Sequence, residues 1–187
     1  AYSTISNLSY ILLGAVMMTP LGMIGAVCHL VVHAFMKICG FFCVGAVMHQ
    51  TGRNYISEIE GLGRKMPVIF GCFTVAAVSL AGIPPFGGFI SKWNLGTAAL
   101  LSKTPLGYGA MGVLLYSAFM TALYMGTIVL KAWFPRKEQI YQFADHEKDP
   151  GWKMKLPIIL FACIIVCLGV FSGPLLNIIK NVAYGVF

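Results

Sequence analysis

The sequence predicts an all-α integral membrane protein with about six transmembrane helices, one of them interrupted by a Pro-Pro/Gly break. Hydrophobic residues make up 58% of the 187 positions and charged residues only 10%, whereas about 25% of the residues in a soluble domain are charged. A helix needs about 20 mostly apolar residues to cross a bilayer. Six apolar stretches approach or exceed that length: 4–20, 22–48, 66–83, 86–102, 107–134 and 157–180.

The first two stretches are separated only by the turn signal Thr19-Pro20-Leu21-Gly22, so we expect an antiparallel helix pair. A polar loop, 49–65, follows the second stretch. Pro67 then marks the start of the third stretch, because proline is well tolerated in the first turn of a helix.

The third stretch ends at Ala81-Gly82-Ile83-Pro84-Pro85-Phe86-Gly87-Gly88. A regular helix cannot continue here, because proline lacks an N–H group and glycine costs backbone entropy. The spacing allows a surface turn or an interruption at membrane depth, where irregular backbone must be buried in protein or line a wet cavity. Six successive spans would place the loop 49–65 and the turn near 103 on one side, opposite the segment 136–155.

The fifth stretch ends at Lys131-Ala132-Trp133-Phe134-Pro135, where Trp and Lys are placed as interface anchors. After the polar segment 136–155, we expect the sixth stretch to kink near Gly173-Pro174. The six cysteines lie in apolar stretches without the spacing of a zinc site, so we predict no metal centre.

The formal net charge of +7 would suit an acidic partner. Few basic residues cluster outside the loops, so lipid headgroups are the expected anions and nucleic acid is not expected to bind. The opening residues lack the basic flank and cleavable apolar core of a signal peptide. Because the chain begins at Ala1 rather than Met, we expect a fragment or a processed piece.

Lys37 and Lys92 lie within apolar stretches, whereas all six acidic residues lie in two polar segments. A charged lysine at bilayer depth costs about 2.5–3.5 kcal/mol on insertion scales. Each amine must therefore find a partner elsewhere, meet water or lose its proton, and burial favours the neutral form. A lysine poised between its two forms can carry a proton.

His29, His33 and Lys37 recur at four-residue intervals. Because each step drifts only about 40° around a helix, the three share one face over about 12 Å. Histidine serves as a proton shuttle, but in membrane helices it also forms interhelical hydrogen bonds, and lysines near helix ends snorkel to the interface. Lys37 lies 12 residues before His49, so snorkelling is difficult there.

Lys92 follows the break by a turn and a half, so it could project into a cavity at the break or reach the interface. Thr121, Tyr124, Thr127 and Lys131 lie on or near one face of the fifth helix, where they could hold water or pack helices together. We take Ser91, Thr121 and Tyr124 as candidate lining residues of a pathway.

The chain resembles the proton-translocating, antiporter-like membrane subunits shared by respiratory complex I, Mrp-type cation/proton antiporters and energy-converting membrane hydrogenases. The residues that carry the resemblance are Ala1-Tyr2-Ser3-Thr4-Ile5-Ser6 with Tyr10, the run from His29 through His33 to Lys37 followed by Phe41 and Phe42, Gly61-Leu62-Gly63, Lys65-Met66-Pro67, and the run from Gly82 to Lys92 and Trp93. The match is specific in order and spacing, whereas residues 103–187 fit by hydropathy alone.

The resemblance implies about fourteen helices in two inverted repeats, of which this chain is the second half. Residues 1–134 would form the C-terminal part of the proton-transporter domain, 135–156 a polar loop and 157–187 a terminal transmembrane helix. The first repeat, with its glutamate-lysine pair, is absent, and so is the lysine that precedes the Ala-Tyr-Ser run in the family. The rest of a longer chain, or another polypeptide, would supply them.

The resemblance also implies roles for individual residues. Lys37 resembles the central-axis lysine, His33 and His29 its neighbours, and Lys92 the lysine near the broken helix that exchanges protons with the outer side. The residues expected to form that broken helix are Pro84, Pro85, Gly87 and Gly88.

We therefore expect proton translocation across an energy-transducing membrane through a Lys/His relay, as part of a multisubunit complex of membrane subunits. The alternatives are a subunit of a sodium/proton antiporter and a non-conducting structural subunit. No flavin, iron-sulfur or haem motif is present, so no cofactor is expected and the driving energy must come from elsewhere. The chain would count as an enzyme only within an NADH:quinone or hydrogenase-linked translocase. A prokaryotic plasma membrane is favoured over the mitochondrial inner membrane.

Overall fold

A computed structural model describes residues 2–135 and 148–186, and most of these residues are helical. The helices are α1 (Tyr2–Val16), α2 (Pro20–Thr51), α3 (Pro67–Ala81), α4 (Gly87–Leu101), α5 (Pro105–Trp133), α6 (Trp152–Val170) and α7 (Ser172–Val186). Two short 3-10 helices, Ile56–Ile59 and Leu62–Arg64, lie between α2 and α3. Within the described ranges, α2, α5 and α6 are long and apolar enough to cross a membrane. The predicted all-α membrane fold is confirmed.

Local capping sets where the two longest helices begin. The Thr19 hydroxyl accepts a hydrogen bond from the backbone N–H of Gly22 at 3.1 Å, and the Thr104 hydroxyl does the same for Gly107 at 3.1 Å. Each threonine is followed by a proline in the first helical position, where the missing N–H costs nothing. At the other end, α2 stops at Gly52, whose φ of 68° is left-handed.

Helix α2 is the centre of the molecule and packs against α1, α3, α4, α6 and α7. Helix α2 is apolar on nearly every face, so its buried stripe is the face that meets the other helices, whereas Leu30, Phe41 and Val44 are exposed. Large exposed apolar side chains are expected where a helix faces lipid. The buried stripe consists of Ile24, Cys28, Val32, Met36, Cys39 and Cys43.

Helices α3 and α4 are two halves of one interrupted span. The backbone of Cys72 in α3 lies 3.9 Å from the Cys39 sulfur. Farther along the chain, Gly87 lies against Val32, and Leu95 against Gly25. The neighbours on α2 thus fall steadily from 39 to 25, so α3 and α4 run in the same direction, antiparallel to α2.

Because α3 and α4 form one span, the expectation that the loop 49–65 lies opposite the α5–α6 connection is wrong. The N–H of Gly61, in the loop after α2, donates to the carbonyl of Lys131 at the end of α5 at 3.0 Å. The Asp149 carboxylate, just before α6, accepts hydrogen bonds from Val68 and Ile69 at the start of α3. The loop 49–65 therefore lies at the same end as the α5–α6 connection, and the turn near 103 lies at the opposite end.

The sixth apolar stretch begins earlier than expected and forms two helices. Helix α6 starts at Trp152, and Pro157, the expected boundary, lies inside it. The helix ends where the Phe171 N–H bonds to the Cys167 carbonyl at 2.8 Å, directly before the predicted kink at Gly173-Pro174. Helix α7 then packs against α2.

Candidate proton-transfer site

The break between α3 and α4 lies beside the middle of α2, with Gly87 and Gly88 buried against Val32 and Met36 and with Ile83, Pro84 and Pro85 exposed on the outer side. Gly82 ends α3 with a φ of 88°, a left-handed conformation that glycine adopts without strain. A side chain on Gly88 would collide with the carbonyl of Ser79, so only glycine allows the two half-helices to approach this closely. Of the two alternatives open from the sequence, the structure therefore supports an interruption at depth.

The two prolines of the break leave backbone carbonyls without their helical donors. In an α-helix the carbonyls of Leu80 and Ala81 would accept from the N–H groups of residues 84 and 85, and both of those residues are prolines. The Lys92 ammonium takes their place, at 2.8 Å from the Leu80 oxygen and 3.1 Å from the Ala81 oxygen. A cation is also favoured at the negative end of a helix dipole. The break thus builds the site that holds Lys92.

Lys92 is only 6% exposed, and its surroundings are mainly apolar. Its Nζ lies 5.4 Å from the centre of the Tyr10 ring, a cation–π distance. A cavity of about 460 Å³ lies between α4, α5 and the end of α3, and Lys92 is one of the residues that line it.

The side chains of His29 and His33 are buried and lie between Lys92 and Lys37. His29 is fully buried, and its ring lies 5.3 Å from the Tyr10 ring and 5.7 Å from the His33 ring, centre to centre. The Nδ1 atom of His29 lies 2.8 Å from the Ser91 hydroxyl. That hydroxyl also lies 3.1 Å from the carbonyl of Gly88, so Ser91 connects the histidine to the break.

Four buried polar atoms along this line have no hydrogen-bond partner within the part of the chain that the structure describes. They are Nε2 of His29, Nδ1 of His33, Oδ1 of Asn7 and the hydroxyl of Tyr10. A buried polar atom without a partner costs about 1–3 kcal/mol, and ordered water is the usual partner in such places.

Lys37 lies near the middle of α2 and contacts a hydroxyl of α1, which in turn contacts a hydroxyl of α5. Its Nζ donates to the Ser3 hydroxyl of α1 at 2.9 Å. The same hydroxyl lies 2.6 Å from the Tyr124 hydroxyl of α5. Nζ also lies 5.8 Å from the centre of the Phe41 ring. Lys37 is half-buried, so it differs from Lys92 in both burial and acceptor.

Comparison with known proteins identifies the family. The family model for the transmembrane region of NADH:quinone oxidoreductase and Mrp antiporter proteins matches residues 1–121. The chain belongs to this family. The matched range includes both lysines, both histidines and the whole of the break.

Individual relatives support the same assignment for this member of the NADH:quinone oxidoreductase/Mrp antiporter family. NADH-quinone oxidoreductase subunit N of Desulforudis audaxviator is 32% identical, over 95% of this chain and 36% of its own length. An Na(+)/H(+) antiporter subunit from Alkalihalophilus pseudofirmus is 29% identical, over 98% and 36%. The chain spans about a third of the length of these curated relatives.

A solved structure shares the fold. A chain of the Mrp complex from Dietzia superposes with a TM-score of 0.86 at 23% identity, over 98% of this chain and 41% of that chain. At that identity the likeness concerns the fold alone. It agrees with the expected second half of an antiporter-like fold.

Not every candidate lining residue of this family member lies on the line between the lysines. Ser91 contacts His29, and Tyr124 contacts the Ser3 hydroxyl. The Thr121 hydroxyl instead donates to the Ser117 carbonyl of its own helix at 2.8 Å. Lys131 lies 4.0 Å from the buried Glu60 carboxylate and so belongs to the loop end of the molecule.

Sequence reasoning assigned no role to Ser3, Asn7 or Tyr10 of α1. Ser3 is the acceptor for Lys37, and the fully buried Asn7 side chain donates to the Ser3 carbonyl at 2.7 Å. Ser3 and Tyr10 appear among the residues that carry the family resemblance. No spacing rule relates them to lysines on other helices, so only the packing of α1 against α2 and α4 reveals the contact.

Proposed function

We propose that this chain forms one half of a proton pathway in a multisubunit membrane complex. Lys37 receives a proton, His33 and His29 relay it with water between them, and Lys92 passes it onward into the cavity beside the break. Residues 1–134 would form the transporting domain, 135–156 the connecting loop and 157–187 the closing membrane segment. The rest of the pathway would lie in the missing repeat.

The observation that carries this proposal is the spacing of titratable and polar groups between the two lysines. Starting from Lys92, the Tyr10 ring follows at 5.4 Å, the His29 ring at 5.3 Å and the His33 ring at 5.7 Å. Lys37 lies one helical turn beyond His33. These are distances between ring centres, so neighbouring rings are in contact, and water would join the steps at the ring edges, where the unpartnered nitrogen atoms of both histidines lie.

Both amines hydrogen-bond to neutral oxygens in this structure, a hydroxyl for Lys37 and two carbonyls for Lys92. These acceptors stabilise an ammonium group less than a carboxylate would. Each lysine can therefore release a proton without first breaking an ion pair.

The driving free energy must come from outside this chain. Moving one charge across 100 mV requires about 2.3 kcal/mol. The names of the relatives suggest two sources, quinone reduction by NADH in partner subunits and the exchange of sodium for protons. The relatives named here are bacterial, which supports a prokaryotic plasma membrane as the location.

Transport as part of a sodium/proton antiporter is the second candidate. The observation in its favour is the 29% identity with an Na(+)/H(+) antiporter subunit over 98% of this chain. Both candidates use the same lysines and histidines. They differ in whether proton flux requires sodium on the opposite side of the membrane.

The test is Lys37→Ala in the complete membrane complex, reconstituted into vesicles with an internal pH-sensitive dye. We expect proton transport to fall to background, because the relay loses its first acceptor. Lys131→Ala is the matched control, since Lys131 is also a helix lysine but pairs with Glu60 at the loop end. Transport should persist in this control.

A Lys37→Ala complex that assembles with all its subunits and still transports protons at the parental rate would overturn the proposal. That result would favour the third alternative, a structural subunit whose basic groups only hold helices together. Repeating the assay with and without sodium separates the first two candidates.

A further inference from the structure

Asn7 lies in the middle of α1, and one of its two polar side-chain atoms has no partner. The side chain is fully buried. Its Nδ2 group donates to the Ser3 carbonyl of the same helix at 2.7 Å. Because a carbonyl can only accept, this bond identifies the other atom as Oδ1, which is itself an acceptor. No donor among the described residues reaches that oxygen.

The contacts between α1 and α2 show which residue of α2 faces Asn7. The residue pairs in contact are Ser3 with Lys37, Tyr10 with His29, and Gly14 with Ala26. Positions rise along α1 as they fall along α2, so the two helices are antiparallel. Asn7 lies between Ser3 and Tyr10 on α1, and His33 lies between the partners of those two residues on α2. Asn7 and His33 are therefore at the same level of the α1–α2 contact.

Both side chains belong to the faces of α1 and α2 that meet. Ser3, Asn7 and Tyr10 are spaced by four and three residues, so they share one face of α1. His33 shares its face of α2 with the other relay residues and is only 5% exposed. Its Nδ1 atom, like Oδ1 of Asn7, has no hydrogen-bond partner among the described residues. Two unpartnered polar atoms thus occur at one level of one helix contact.

One shared water molecule would satisfy both atoms. Buried polar atoms without partners are costly, and buried waters commonly bridge such groups. A direct bond between Asn7 and His33 would require Nδ1 to carry a proton, because Oδ1 can only accept. A bridging water can either donate to Nδ1 or accept from it, so it suits both tautomers of the histidine.

We propose that Asn7 is a positioning residue of the relay and holds one water molecule between its Oδ1 atom and Nδ1 of His33. This inference rests on the proposed function and adds a residue to it. The amide oxygen accepts one hydrogen of the water, so the second hydrogen points to Nδ1. A lone pair of the water is then free to accept from the Lys37 ammonium, which lies one helical turn beyond His33.

The bound water then takes part in the proton transfer from Lys37 to His33. The ammonium gives a proton to the water while the water gives its second hydrogen to Nδ1. Lys37 becomes a neutral amine, His33 becomes an imidazolium, and the water molecule is restored. Asn7 exchanges no proton in this step and only keeps the water in place.

The first experiment removes the acceptor at nearly constant side-chain volume with Asn7→Leu. Asn94→Leu is the matched control, because Asn94 also donates to the carbonyl four residues earlier in its helix, that of Ile90 at 2.8 Å. Both variants lose the same kind of bond, but only Asn7→Leu loses the proposed water. Proton transport by the complete complex in vesicles is measured in ordinary water and in heavy water.

We expect Asn7→Leu to transport protons about tenfold more slowly than Asn94→Leu, since a buried hydrogen-bond partner is lost. The ratio of the rates in ordinary and heavy water should also rise in Asn7→Leu, because a proton transfer that has lost its water becomes the slow step. A residue that only packs α1 against α2 would leave this ratio unchanged. An unchanged ratio in Asn7→Leu would overturn the proposal, whatever the rate.

The second experiment needs no variant and observes the water directly. A cryo-EM map of the complete parental complex, at a resolution that shows ordered water, should contain a water within hydrogen-bonding distance of both Oδ1 of Asn7 and Nδ1 of His33. A map in which no water contacts both atoms would overturn the proposal.

Failure of this inference can be told apart from failure of the proposed function. Parental transport by Lys37→Ala would overturn the relay as a whole, and the role of Asn7 with it. Loss of transport in Lys37→Ala, combined with an unchanged ratio of rates in Asn7→Leu, would overturn the role of Asn7 alone.

Discussion

Lys92 and Lys37 are both amines in an apolar protein interior, but the structure holds them in different ways. Lys92 is 6% exposed and is bound by two backbone carbonyls at the end of α3. Lys37 is half-buried and is bound by one side-chain hydroxyl from α1, which in turn contacts Tyr124 of α5. The first site belongs to a single broken span, whereas the second depends on three helices meeting.

This difference suggests how each amine could respond to the rest of the protein. The carbonyls of Leu80 and Ala81 are available as long as the two prolines interrupt the helix, so the Lys92 site is permanent. The Ser3 hydroxyl can move away from Lys37 if α1 shifts relative to α2. We therefore expect the Lys37 site to be the adjustable one of the two.

The largest difference between the two sites should appear when the break is repaired. The double variant Pro84→Ala with Pro85→Ala restores two N–H groups, which can occupy the carbonyls that now bind Lys92. Hydrogen bonds to a charged group contribute about 1.5–3 kcal/mol, so proton transport should fall roughly tenfold to hundredfold. The measurement is proton uptake by vesicles containing the complete complex.

Pro67→Ala is the matched control for the double variant, because Pro67 stands in the first turn of α3, where its missing N–H has no partner to lose. Transport by the control should stay at the parental rate. If the double variant matched the control, the carbonyls would not be what holds Lys92.

A smaller effect is expected at the Lys37 site. Ser3→Ala removes the acceptor of the ammonium group, but Lys37 is only half-buried and water can replace the hydroxyl. We expect a loss of about 1 kcal/mol, or roughly fivefold in transport rate. Ser9→Ala is the control, since the Ser9 hydroxyl only donates to the Ser6 carbonyl of its own helix. Equal transport rates for the two variants would show that the Ser3 hydroxyl does not contribute to proton transport.

The smallest effect on transport is expected outside both sites. The Asp149 carboxylate accepts hydrogen bonds from the N–H groups of Val68 at 3.2 Å and Ile69 at 3.3 Å, and so caps α3 from another part of the chain. Asp149→Asn should cost about 1 kcal/mol of stability, because it removes a charge from the positive end of a helix dipole.

The measurement for Asp149→Asn is the thermal unfolding midpoint of the complex, compared with that of Lys148→Gln. We expect a lower midpoint for Asp149→Asn alone, with proton transport at the parental rate in both variants. A large loss of transport in assembled Asp149→Asn would show that the two lysine sites are sensitive to distant changes in α3.

The contrast between the two lysines also shows what sequence could predict. His29, His33 and Lys37 belong to one helix, so their four-residue spacing was sufficient to predict a shared face. The position of Lys92 just after a break likewise follows from local sequence. The Pro-Pro/Gly break was recognisable too, because its residues cannot continue a helix.

The remaining features depend on packing between distant segments. The depth of the break could not be predicted, because the same residues also form surface turns. Counting α3 and α4 as separate spans then placed the loop 49–65 at the wrong end relative to the α5–α6 connection. Ser3 lies 34 positions from Lys37 in the chain, and no periodicity connects residues on different helices.

The most direct test of the central claim is to replace Lys92 by an amino acid that stays protonated. Arginine keeps the positive charge but does not release a proton at accessible pH. Proton transport is measured with Lys92→Arg in the complete complex, with Lys103→Arg, in the exposed turn between α4 and α5, as the control. We predict that transport stops in Lys92→Arg and continues in the control. Undiminished transport by a fully assembled Lys92→Arg complex would contradict the claim that this amine passes protons onward.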